Sequence, residues 1–186
     1  MKHLVFSVMV LSSTAAADPF GVKMGDEVQQ YRVMSELPSF KFLVVPTPHP
    51  DFYMYQGVHS HDHGICQVRA TSQPFFSDRF GDGIQDDFAR YEKALTLKYG
   101  DAESHRSLAD DSIWARPGAW VMSVAQKDRV HATYWSGEGL AEHGLGRIEL
   151  RVDSLLEDAA VIVIEYQSAS FEDCMASIEG EKNASF

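Results

Sequence analysis

Residues 159–166 read AAVIVIEY, a near-continuous apolar run interrupted by one charge, at Glu165. This is the pattern of a strand buried on both faces or set in the centre of a sheet. Such a strand needs partners, and the chain offers several. FKFLVV (40–45) reads as a strand that stops at Pro46, Pro48 and Pro50, which cannot continue a sheet ladder. DFYMYQGVH and ICQVRAT read as a β-hairpin with SHDHG at its tip. Alternation in its second strand puts Cys66, Val68 and Ala70 on the core-facing side, and Gln67 and Arg69 on the other. SIWAR (112–116), AWVMSVA (119–125), RVHATYW (129–135) and RIELRV (147–152) complete the set, and QKD is short enough to join the second and third of these as a hairpin.

Helical spacing is clearest over 82–99, where Ile84, Phe88, Tyr91, Leu95 and Tyr99 recur on one face, Asp86 and Asp87 lie near the start, and Lys98 and Gly100 close the end. A shorter helix is predicted over 26–37, capped by Asp26, apolar at Val28, Tyr31 and Met34, and stopped by Pro38. A last helix follows Ser170, with Phe171, Cys174, Met175 and Ile178 on one stripe, and 181–186 form a disordered tail. Helix then strands, twice, predicts an α+β fold: antiparallel sheet covered by two or three helices, in two α-then-β halves. Residues 18–180 make one globular domain. The regular alternation an α/β nucleotide fold would need is absent.

Residues 1–17 have the layout of a secretory signal peptide: a basic start at Lys2, an apolar run over 4–11, and small residues at Ala15 and Ala17 before a cut at Asp18. The run is far short of the ~20 apolar residues of a membrane-spanning helix. Removing it leaves about 170 residues, a length that suits one domain. The chain is expected in the periplasm or secreted. Its net charge of −11 repels phosphate backbones, which argues against nucleic-acid binding. The two cysteines, Cys66 and Cys174, read most simply as one disulfide in an oxidising compartment, with two free buried thiols as the alternative.

FGVKMGDEVQQY (20–31) and ALTLKYG (94–100) resemble features of small exported bacterial proteins of uncharacterised function. In those, a short helix follows a Phe-Gly start, and a longer helix ends in Tyr-Gly before a strand with a tryptophan, here Trp114 or Trp120. The start from Gly21 to Gly25 is also similar to that of small outer-membrane assembly lipoproteins, from which this chain departs in lacking the lipid-bearing cysteine. The resemblance covers about a third of the chain. It implies an envelope location and no catalytic residue.

The chemistry with most claim to notice is GVHSHDHGICQV (57–68). If strand geometry persists to residue 63, His59, His61 and His63 point to one side and could converge on Zn²⁺ or Cu²⁺. A tight turn would instead scatter the three rings. The run is one residue too short for the His-x-His-x-Asp-His motif of metallo-β-lactamases, and its strand-to-strand setting is wrong for it. A hydrolase has less support: no Gly-x-Ser-x-Gly elbow occurs, and Ser136 lacks the preceding glycine. GEGLAEHGLG (137–146) has no Gly-Lys-Ser/Thr and reads as a mobile loop between strands. Exposed aromatics on the sheet could form a recognition patch, although covering helices would pack most of them. The function expected is a non-enzymatic binding or interaction module of the cell envelope, without cofactor, whose partner is a protein or small molecule. Metal binding through the hairpin tip and hydrolysis are the alternatives.

Overall fold

A computed structural model describes residues 18–183, so the expected signal peptide lies outside the described residues. The fold is α+β, built on one nine-stranded antiparallel sheet. In chain order the strands are β1 (Arg32–Leu37), β2 (Phe40–Val44), β3 (Phe52–Ser60), β4 (Gly64–Ser72), β5 (Phe75–Phe76), β6 (Glu103–Leu108), β7 (Arg129–Ser136), β8 (Leu145–Leu156) and β9 (Ala159–Ser168). Their spatial order is β1-β2-β3-β4-β9-β8-β7-β6, with the short β5 also on β9. The apolar strand β9 therefore sits in the middle, between β4 and β8. It joins two four-stranded meanders, 32–72 and 103–168, which are the two halves of the sheet.

One face of this sheet is closed by α1 (Asp82–Tyr99), whose buried residues are the expected stripe of Ile84, Phe88, Tyr91, Leu95 and Tyr99. They pack on Ile148, Leu150 and Val152 of β8 and on Ile162, Ile164 and Tyr166 of β9. Each such side chain withdrawn from water contributes about 1.5–3 kcal/mol, so this layer is the main source of cohesion. The short helices α2 (Trp120–Ala125) and α3 (Glu138–Ala141) cover β7 and β8, each adding buried side chains: Val121 and Val124 from α2, Leu140 from α3.

Five local expectations are corrected. The segment 26–37 is not a helix but a 3-10 turn (Val28–Gln30) followed by β1. Asp26 does not cap: its side chain accepts the Tyr31 hydroxyl at 2.9 Å, and its carbonyl accepts Ile65 N–H at 2.8 Å. Pairing with β2 overrides helical propensity, and Met34, on the supposed apolar stripe, is 60% exposed. AWVMSVA contains α2, not a strand, and SIWAR lies in turns, where the Ser112 hydroxyl donates to Asp128. The glycine-rich 137–146 segment holds α3, anchored by the fully buried Leu140. Finally, α4 (Phe171–Asn183) runs into the expected disordered tail, of which 184–186 lie outside the described residues.

The opposite face of the sheet carries α4, which packs over β3 and β4. Its only buried residue is Cys174, disulfide-bonded to Cys66 across 108 positions of sequence. The bond is as expected, but Cys66 does not share the core-facing side. Val58 pairs with Gln67 and His59 with Ile65, so Cys66 is an extra residue in β4. This bulge lets Ile65 and Val68, three apart, both enter the core, and turns Cys66 toward α4.

Candidate functional site

The hairpin tip was the leading candidate from sequence. His59 lies within β3 and is partly buried, and burial, helped by Lys41, holds its imidazole below the usual histidine range. His61 and His63 lie in the turn beyond it. The His61 N–H donates to Glu181 of α4 at 3.4 Å, and the His63 N–H donates to the Ser60 hydroxyl at 3.1 Å. Asp62 accepts the Ser177 hydroxyl at 3.2 Å. His59 and His61 border a common hollow with Glu27 and Glu181, while His63 stands outside it. Among the described residues, no group of three or more His, Cys, Asp or Glu side chains is gathered so as to hold a metal ion. What the tip does is dock the far end of α4.

A second site lies on the same face, where α4 meets the middle of the sheet. Here alternation places Gln56 of β3, Gln67 and Arg69 of β4, and Glu165 and Gln167 of β9 side by side. Phe171 and Met175 of α4 form one wall; Ser39 and Phe40, at the β1–β2 turn, form the other, and Val58 completes the apolar lining. They enclose a cleft of about 350 Å³, within the range of small-ligand sites. Phe40 is braced edge-on by Phe42, ring centroids 5.3 Å apart.

Glu165, in the apolar central strand, is the electrostatic keystone of this floor. It is 5% exposed, and both of its oxygens are taken. Gln67 Nε2 donates to Oε1, while Arg69 Nε and Nη2, each at 2.9 Å, and Arg151 Nη1, at 2.6 Å, donate to Oε2. Glu149 faces Glu165 across the β8–β9 pair, and Arg151 bridges the two like charges. Burial opposes the charge on Arg151, but Asp153, Glu165 and Glu149 together hold its pKa above that of an ordinary arginine. A carboxylate so fully paired serves to hold the floor in place.

The glutamines are different. Gln67 gives one N–H to Glu165, leaving the other N–H and its carbonyl oxygen. Gln56 lines the cleft, and its amide, open to solvent there, has no hydrogen-bond partner among the described residues. Gln167 is likewise unpaired at its amide. No nucleophile accompanies them: Ser39 is the only hydroxyl in the lining, and no acid or base is bonded to it. Both cysteines are in the disulfide.

No protein-family model, curated protein or solved structure matches the chain. The site therefore rests on its own geometry. Sequence reasoning placed Gln67 and Arg69 on the face away from the core but did not connect them to Glu165. The signal available was the lone carboxylate in AAVIVIEY, since a charge inside a central strand demands partners on the neighbouring strands.

Proposed function

We propose that the protein is an exported, non-enzymatic binding module of the cell envelope and that the cleft between α4 and the sheet receives its ligand. The observation that carries this reading is the unpaired amide of Gln56 in a cleft with apolar walls. A ligand that pairs with this amide exchanges a bond to water for one to protein, a net gain of about 0.5–1.5 kcal/mol, and covers the apolar walls at the same time. The saturated Glu165 and the lack of an activated nucleophile favour binding over catalysis. Export is supported by the disulfide, a bond characteristic of oxidising compartments, and by the layout of residues 1–17. No helix among the described residues is long and apolar enough to cross a membrane.

The test is a small-molecule screen read by amide chemical shifts on the disulfide-bonded protein. Ligands are expected to perturb Gln56, Gln67, Gln167 and the first turn of α4, and to lose affinity in Phe171→Ala. Binding that maps to another surface, or that ignores this variant, overturns the reading.

A further inference from the structure

We infer that the cleft selects an uncharged ligand in which an amide group is carried on an apolar arm. This rests on the cleft being the binding site and specifies the chemistry it takes. The two charged residues that line the cleft, Arg69 and Glu165, are already paired with each other. Arg69 and Arg151 are committed to Glu165, and Arg151 also to Glu149 and Asp153. An anion would meet Arg69 with its charge already paired through Nε and Nη2, and a cation would have to draw Glu165 away from two guanidinium groups. Moving Glu165, which is 5% exposed, off its partners would leave a buried charge unpaired, which is strongly unfavourable.

What remains open on the floor is amide chemistry. Gln56 and Gln167 each offer an N–H₂ and a carbonyl oxygen, and Gln67 offers its other N–H and its carbonyl oxygen. A carboxamide presents its donor and acceptor in one plane, side by side, and so pairs with a ligand group that does the same. A secondary or primary amide, as in a peptide backbone, meets that requirement; a carboxylate has no donor and an ammonium no acceptor. Above the floor, Phe40, Val58, Phe171 and Met175 provide the surface for an apolar arm. Met175 is 41% exposed and Phe171 only partly covered, so this surface is available to a ligand. The volume suits a ligand of one or two residues' size, the lower end of the range for small-molecule sites.

The amide could belong to a free small molecule or to a short peptide, and the test separates them. N-acetyl-phenylalaninamide is titrated into the ¹⁵N-labelled, disulfide-bonded protein, following the side-chain N–H₂ signals of Gln56 and Gln167. Two matched probes carry one charge each: N-acetyl-phenylalanine, an anion, and phenylalaninamide, a cation. Both keep one amide and are expected to bind about tenfold more weakly, since each brings a charge to a cleft whose own charges are already paired. An end-blocked tripeptide that binds about tenfold more tightly than the single residue identifies a peptide as the source; equal affinity identifies a free small amide. Gln56→Leu is expected to weaken the neutral probe at least about fivefold while leaving the thermal midpoint unchanged or higher, because its amide makes no internal bond to lose. Equal binding of neutral and charged probes at the cleft, or undiminished binding by Gln56→Leu, overturns the amide assignment and leaves the cleft reading standing. If none of the probes disturbs the cleft signals, the amide assignment falls. If a broader ligand screen also leaves those signals unmoved, the cleft falls with it.

Discussion

The two faces of the sheet each carry a helix, and the helices are held by different physics. On one face α1 buries five large side chains against β8 and β9. On the other, α4 is thirteen residues long and buries one, a cysteine. The first helix is fixed by the apolar surface it withdraws from water. The second is fixed by a covalent bond and by polar contacts at the hairpin tip, and its looser seat leaves a cleft with a polar floor. A helix that must bury a full stripe cannot also leave a recess under itself. A crosslink relieves α4 of that requirement.

The comparison can be broken most forcefully on the α1 side. Phe88 is 1% exposed, and Phe88→Ala is expected to cost about 3–5 kcal/mol in denaturant unfolding. The loss should be global, with amide exchange accelerating across β8 and β9 as well as α1. An effect below about 1 kcal/mol would show that this face is not the main source of cohesion.

Replacing both cysteines with serine should come next, at about 2–4 kcal/mol. The decisive difference is where the loss appears: α4 amides should exchange first, well before those of α1, under conditions that keep the sheet intact. If α4 and α1 lose protection together, the covalent bond is not what distinguishes the faces.

The smallest effect sharpens the α1 side. His131, packed edge-on against Phe88 and Trp120, has its pKa lowered to about 4 by burial, with the Arg106 and Arg129 charges adding to the effect and Glu92 opposing it. Between pH 4 and the ordinary histidine value of about 6.5, the unfolded chain binds a proton that the folded protein refuses. Stability from this group is thus full above that window and falls as the pH drops through it. In His131→Gln, the slope of stability against pH over this window should flatten. An unchanged slope would mean that the imidazole is solvated in the fold.

Much of the α1 side could be read from sequence, because burial leaves periodic marks. AAVIVIEY announced a central strand, and the 82–99 stripe matched its helix to the residue. Where burial is one-sided or slight, the marks fade. β6 reads ESHRSL and is exposed along almost its whole length, so as an edge strand it left no apolar alternation to find. In α2 the run is only six residues, too short for a period of two to be told from one of 3.6. The 26–37 stretch offered apolar residues three apart, yet only Val28 of them is buried. The site was less legible still. Its glutamines form no motif and come together only through strand register, and the bulge at Cys66 that directs the disulfide toward α4 is invisible to alternation. The histidine run drew the eye because it was contiguous in sequence, whereas the cleft is assembled from five separate elements.

The disulfide also changes what a break in the backbone means. The span it closes, 66 to 174, contains α1 and most of the sheet. A protease cutting in the largely exposed stretch 109–116 would yield two chains that remain one particle, the central strand still paired on both sides. In an oxidising compartment such a nick leaves the cleft assembled; where thiols are kept reduced, the same cut removes the covalent tie between the two pieces.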